Sequence, residues 1–318
     1  MSRLVILPAM SDPLTELRAA CAEVARRARY VTIEREAIGR FAAALPLPSD
    51  PGGPDPEVHL VDRAHEELAA FWLTLDAINF GSGWFPTLRK PAGHSGYFTI
   101  AGCLRDRFGT YGPWTAEELS KIEAGEVATA LDQQPEHELM ALFADSLRDL
   151  GAHVARDYDG RFATVVDNAG GSAATLVSTL AGWRCFEDCS EYEGISVSFL
   201  KRAQIAAADL ALAGVARFDD LGRLTMFADN LVPHVLRLDG MLGYAPALVE
   251  RIERGELIEH GSPEEVEIRA CGLHVVELIV AARGAQVSAV AIDRLLWNRG
   301  QQRRYKARPR HRSRCTAY

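Results

Sequence analysis

Asp62-Arg-Ala-His-Glu-Glu-Leu-Ala-Ala-Phe-Trp-Leu-Thr-Leu-Asp-Ala-Ile-Asn-Phe80 is the stretch whose reading decides the fold. Wound at 3.6 residues per turn, it brings Ala69, Trp72, Leu73 and Ile78 onto one stripe, which predicts a core-facing helix. Upstream, Leu14 to Tyr30 does the same with Leu17, Ala20, Cys21, Val24 and Ala25. Downstream, Thr115 with Glu118 and Ser262-Pro263 with Glu265 carry the capping-box pattern that satisfies the orphan amides of a helix start. Gly, Pro and Asp turns set off further helices at about 135–157, 173–183, 198–215, 230–242, 246–255, 264–283 and 288–298. Strand-like alternation occurs only at Gly194-Ile-Ser-Val-Ser-Phe199. The expected fold is therefore all-α, a single compact multi-helix domain over 1–318 with two lobes and a cleft, and at most one short β-hairpin.

Residues 45–57, rich in Pro, Gly and Asp, read as a surface loop, and no internal repeat suggests a solenoid. With 48% hydrophobic and 25% charged residues, the chain can bury a large core. The apolar run Leu4-Val5-Ile6-Leu7 is too short for a signal-peptide core, and nothing later approaches a membrane span. Six cysteines scattered without a CxxC pair argue against a disulfide scaffold or a zinc ribbon and suit reduced thiols in the cytoplasm. Seven basic residues lie in 303–318, so removing their charge from the net −8 leaves a body at −15. Such a body disfavours duplex nucleic acid, while the basic C-terminal arm reads as a solvated tail or as a phosphate-binding segment.

The chain has no Gly-x-Gly-x-x-Gly after a strand, no Walker loop, no His-Glu-x-x-His and no nucleophile elbow, so no metal site or cofactor is expected. Three segments carry more than packing requires. In Asp76-Ala-Ile-Asn79-Phe80-Gly-Ser-Gly-Trp84-Phe85, an aromatic-rich helix ends in a glycine turn that admits close approach of a planar ligand, or simply stops the helix. In Phe199-Leu-Lys201-Arg-Ala-Gln-Ile205, Lys201 shares a face with Ile205 and Ala208. Its ammonium could snorkel outward or be reserved for a phosphate or a developing negative charge. In Thr225-Met-Phe227-Ala-Asp229-Asn-Leu-Val-Pro233, Asp229 reads first as an N-cap and otherwise as a carboxylate tuned by apolar neighbours.

These segments, in this order, resemble the queuosine salvage family, the queuosine 5′-phosphate N-glycohydrolases. The resemblance rests on Phe199-Leu-Lys-Arg-Ala-Gln-Ile205, Thr225-Met-Phe-Ala-Asp229 with Val232-Pro233, Glu265-Val-Glu-Ile-Arg269 and Leu295-Leu-Trp297, with a further patch at Asp76 to Phe85. It is strongest over about the last 125 residues, and no motif is assigned in the first 55. The family's usual glutamine after Val-Pro is His234 here. The resemblance implies a helical domain like the DNA-glycosylase folds and release of queuine from queuosine 5′-phosphate for salvage into tRNA.

Hydrolysis of an N-glycosidic bond passes through an oxocarbenium-like ribose, so a carboxylate must stabilise C1′ or activate water against it. On the resemblance, Asp229 takes that part and Lys201 is the assisting cation. Asp76, Asn79 or Glu267 would hold the polar edges of the 7-deazaguanine, and Phe80, Trp84, Phe227 or Trp297 would stack on it. Lys201, Arg269 or the arm residues Arg303 to Arg314 would hold the phosphate. The rival readings are a base-flipping nucleic-acid glycosylase and a non-enzymatic helical adaptor.

Overall fold

The computed structural model describes residues 12–45 and 52–318, so part of the expected 45–57 loop lies outside the described residues. Among them are fifteen α-helices, the longest being Pro13–Arg27, Gly96–Tyr111, Glu138–Asp157 and Pro263–Arg283. The decisive segment forms the helix His65–Ala77, in which every residue from Ala69 to Ala77 is buried. The capping signals act as read. Thr115 Oγ1 accepts the Glu118 amide while the Glu118 carboxylate takes the Thr115 amide, and Ser262 accepts the Glu265 amide at the head of Pro263–Arg283.

Cys189–Tyr192 and Ile195–Ser198 form the expected hairpin, turned by Glu193 and Gly194, both with positive φ. A second antiparallel pair, Val31–Ile33 with Leu242–Tyr244, corrects the expectation of at most one hairpin. Three-residue strands are too short to show alternation, and their pairing joins segments far apart in the chain. At Gly243 a Cβ would fall 2.4 Å from Thr32 Oγ1, so the close approach requires glycine. No helix among the described residues is long and apolar enough to cross a membrane.

Besides a small apolar cluster of Cys315, Ala317 and Tyr318, the core falls into two large ones. One is built on His65–Ala77, Gly96–Tyr111, Glu138–Asp157, Ala173–Ala181 and Lys201–Leu212. The other is built on Pro13–Arg27, Arg35–Ala44, Val232–Leu238, Pro263–Arg283 and Ala289–Gly300. The chain passes between them at 224–228, where Leu224 sits in the first cluster, Met226 and Ala228 sit in the second, and Phe227 leans on the first.

The basic arm is not a solvated tail. After the short helix Arg303–Lys306, residues 311–318 run through the protein with His311, Ser313, Cys315 and Ala317 buried and Arg314 and Thr316 exposed. Asn230 Nδ2 donates to the His311 carbonyl (3.0 Å), the Ile258 amide to the Arg312 carbonyl (2.9 Å) and the Gly81 amide to the Tyr318 carbonyl (3.0 Å). At Gly83 a Cβ would lie 2.4 Å from the Ser313 carbonyl oxygen. The glycine turn after Phe80 thus receives the chain's own C-terminal segment rather than a planar ligand.

Candidate active site

The crossing at 224–228 is held on both sides. Gln204 accepts the Thr225 amide at 2.8 Å and donates to its hydroxyl at 3.0 Å, and Arg269 Nε donates to the Ala228 carbonyl at 2.8 Å. Asp229 follows, half-buried. Its Oδ1 accepts the Leu231 and Val232 amides at 2.8 and 3.0 Å, which starts the helix Val232–Leu238 as an N-cap would. Among the described residues no hydrogen bond occupies Oδ2, so one carboxylate both caps the helix and presents a free oxygen.

Lys201 enters from the first cluster. Leu200 takes a left-handed conformation (φ 58°), and the Lys201 amide donates to Asp188 Oδ2 at 3.1 Å. The side chain is buried, and Nζ donates to the Asn79 carbonyl at 2.8 Å and to Asn79 Oδ1 at 3.3 Å. Burial draws the ammonium down to about 8, against the upward pull of the Asp229, Asp76 and Asp188 carboxylates.

Three further carboxyls surround this ammonium. Asp76 is buried, with Asn79 Nδ2 3.3 Å from Oδ1 and Oδ2 left without a partner. Burial and Asp209 push it well above the ordinary carboxylate range, and Asp209 is itself raised by burial. Asp293, on Ala289–Gly300, takes the Phe227 amide on Oδ1 at 3.0 Å. Burial, then the negative charge of Asp229, raise it well above its usual value. Burial is the first cause of each rise, and Lys201, Arg202 and Arg294 oppose it.

An aromatic wall adjoins the carboxyls. Tyr97 and Phe98 meet Trp297 edge to face at 5.9 and 5.8 Å, and the Tyr97 hydroxyl lies 2.9 Å from His59 Nε2. Burial and the charges of Asp209 and Asp76 hold the Tyr97 phenol in its neutral form. No group of three or more His, Cys, Asp or Glu side chains among the described residues is placed to hold a metal ion.

Of the residues expected from sequence, Asp229, Lys201, Asp76, Asn79 and Phe227 converge here, and Trp297 joins through Tyr97. Four others have different work. Glu267 is fully buried, accepting the Arg29, Tyr30 and Val31 amides on Oε2 at 3.0, 2.6 and 3.0 Å and the Tyr192 hydroxyl on Oε1 at 2.7 Å. It ties the strand Val31–Ile33 to the helix Pro263–Arg283 and has no edge left for a base. Arg269, also fully buried, spends its charge on Asp188 at 2.7 Å, and the Phe199 and Tyr318 rings flank its guanidinium, which rules against a phosphate contact. Phe80 is enclosed between Phe143 and the Arg202 guanidinium, and Trp84 is buried with its indole donating to Glu138. Neither ring offers a free face for stacking.

Sequence reasoning missed Asp209, Asp293 and Tyr97. Asp293 left a signal, since it occupies a core position of Ala289–Gly300 together with Ala289, Ile292, Leu296 and Gly300. His234, where the family resemblance expects glutamine, donates from Nε2 to the Tyr305 carbonyl at 3.0 Å and so fastens the final helix.

The model of the family described as queuosine salvage protein matches residues 58–318. A Sphaerobacter thermophilus protein named queuosine 5′-phosphate N-glycosylase/hydrolase is 38% identical over 93% of this chain and 95% of its own. Proteins of the same name from Mus musculus and Bos taurus are each 28% identical, over 97% and 96% of this chain and 100% of theirs. The family match from residue 58 to residue 318, with a relative 38% identical over 93% of the chain, means that the chain belongs to the queuosine salvage protein family.

Proposed function

We propose that the protein is an N-glycosyl hydrolase that cleaves queuosine 5′-phosphate to release queuine. The observation that carries the reading is the ring of carboxyls around Lys201, in which half-buried Asp229 keeps Oδ2 clear of hydrogen bonds among the described residues and burial raises Asp76, Asp209 and Asp293 above the ordinary carboxylate range. An oxocarbenium-like ribose needs an anion at C1′, and a departing base needs a proton, so a site with both states of a carboxyl supplies what the bond cleavage requires. In this reading Asp229 stabilises the charge at C1′ and takes a proton from water as the water oxygen bonds to C1′. As the C1′–N bond breaks, Asp293 passes its proton to the base, and exchange with solvent resets both acids. Lys201 holds Asn79 and faces Asp229, which fits a positioning cation better than a phosphate ligand. Phe227 and Trp297 flank the base, and Asp76 and Asn79 meet its polar edges.

The helical body, which shares the bond to be cleaved with the helical DNA glycosylases, supports likeness to that fold as part of the same reading. The six unpaired cysteines support a reducing compartment such as the cytoplasm. Chromatographic release of queuine from queuosine 5′-phosphate, with guanosine 5′-phosphate as control, tests the proposal. Wild type should release queuine, and Asp229→Asn should fall by on the order of 10² or more, the range for losing a positioned acid–base group. No release by wild type would end the reading.

A further inference from the structure

A cavity of about 270 Å³ that the chemistry above does not use opens between the first cluster and the C-terminal segment. Ser146 and Arg202 line it from helices of that cluster, Thr316 and Ala317 from the C-terminal segment, and His260 from the loop before Pro263–Arg283. Ligand pockets usually hold about 300–1,000 Å³, so this one suits a small molecule.

Arg202 is only 1% exposed and has no ion pair among the described residues. Its Nη1 donates to the Ala77 carbonyl at 2.7 Å and to that of Cys185, and its Nε reaches the Ala317 carbonyl at 3.4 Å. Nη2 has only the Glu187 carbonyl, at 3.5 Å. A guanidinium carries five N–H groups, so one is left without an acceptor among the described residues. The Phe80 and Phe186 rings, 5.1 and 5.7 Å away, offset part of the charge. A buried cation still calls for a counter-ion.

The neighbouring acids are already engaged. Asp188, which also lines the cavity, pairs with Arg269 at 2.7 Å and takes the Lys201 amide at 3.1 Å. Glu265 lies 3.5 Å from Arg269, takes the Gly261 amide at 3.1 Å and sits 3.4 Å from His260 Nδ1. Burial opposes charge on His260, but Cys315 and Glu265 outweigh it and raise the imidazole to about 10. Arg202, Arg269 and His260 thus meet only Asp188 and Glu265, three cations against two acids. Asp145, Arg184 and Glu187 also line the cavity, but their side chains are exposed, where water screens their charge. The deficit is one negative charge, and a carboxylate supplies it with two acceptor oxygens.

We propose that this cavity is a binding site for the carboxylate of a small organic acid, held by Arg202 and His260. Acetate is the probe, titrated at constant ionic strength against chloride, with binding read by saturation transfer to its methyl protons. Saturable binding to wild type is expected. It should weaken by about tenfold or more in His260→Gln and Arg202→Lys, as for loss of a charge-assisted hydrogen bond, once thermal melts show each variant folded. Where Arg202→Lys does not fold, His260→Gln decides.

A second readout needs no variant. Cys189 is exposed and lines the cavity, so bound acetate should slow its alkylation by iodoacetamide in proportion to occupancy, with half-buried Cys103 as control in the same peptide map. Absence of saturable binding, equal affinity in folded His260→Gln, or equal slowing of Cys189 and Cys103 overturns the site. Tighter binding of inorganic phosphate than of acetate overturns the assignment to a singly charged carboxylate. Neither readout uses turnover, so the outcome is independent of the hydrolase reading.

Discussion

Glu267→Gln separates a structural carboxylate from a substrate-binding one. In the native protein its Oε2 gathers three backbone amides and its Oε1 takes the Tyr192 hydroxyl, all out of solvent. A glutamine carbonyl can still face the three amides. The new NH2 group then meets Tyr192, whose hydroxyl can turn to the Arg27 carbonyl, already 3.3 Å away. What is lost is charge assistance on three hydrogen bonds at about 1 kcal/mol each, so the substitution should cost about 3 kcal/mol. Glu267→Ala orphans all three donors and should cost about 5 kcal/mol. Urea unfolding followed by circular dichroism measures both losses, and KM for queuosine 5′-phosphate in the folded Gln variant should stay within about twofold of wild type. If Glu267→Gln unfolds within about 0.5 kcal/mol of wild type while its KM rises about tenfold, Glu267 binds substrate and the structural account is wrong.

Lys201 should set the alkaline limb of kcat. Its ammonium, drawn down to about 8, deprotonates as pH rises through that value, and activity should fall with it. Lys201→Arg keeps the positive charge, so its residual activity should lack that limb; a limb unchanged in the Lys201→Arg variant would assign it to another group. His234 should make the native state acid-sensitive, because burial lowers it to about 4 from an unfolded value near 6.5. A lowered histidine contributes stability that is present above about 6.5 and lost as pH falls towards 4, so wild type should lose up to about 3 kcal/mol relative to His234→Gln over that window. Parallel stability curves for the two proteins would refute this. Finally, the hydrolysis needs only water and the chain's own groups, so queuine release should survive chelation. Inactivation by a chelator that added zinc reverses would require a different chemistry.

The helices are legible because each needs only a local signal, a 3.6-residue stripe and a cap, and both are written within one segment. The pair Val31–Ile33 and Leu242–Tyr244 is not, because its register is set by tertiary contact and by room at Gly243. Glu267 and Arg269 illustrate a different limit. A charged residue on an apolar helix face looks the same from sequence whether its partner is a ligand, a set of backbone amides or a buried acid such as Asp188. The C-terminal arm misleads for a compositional reason. Arginines at 308, 310, 312 and 314 dominate the segment, yet His311, Ser313, Cys315 and Ala317 between them carry a period of two that turns inward. Asp293 is within reach of the same reasoning, since it breaks the apolar face of its helix.

The location of the site follows from the energetics of proton retention. A carboxyl keeps its proton near neutrality only where water is scarce, yet substrate must reach it, and a single close-packed core cannot meet both demands. A seam between two cores can. Asp76, Asp209 and Lys201 stand on helices of the first cluster, Asp293 on a helix of the second, and Asp229 on the crossing between them. Each side chain is thus anchored in rigid packing while its functional end lies at the boundary. Their mutual position is fixed by bonds across the seam, from Gln204 and Arg269 to the crossing and from the Phe227 amide to Asp293. The C-terminal segment adds to these, because Tyr318 is bonded to Gly81 beside the first cluster, Arg312 to Ile258 in the second, and His311 to Asn230 next to Asp229. Its backbone hydrogen bonds hold the two clusters in register there. The same short segment therefore joins the halves of the site.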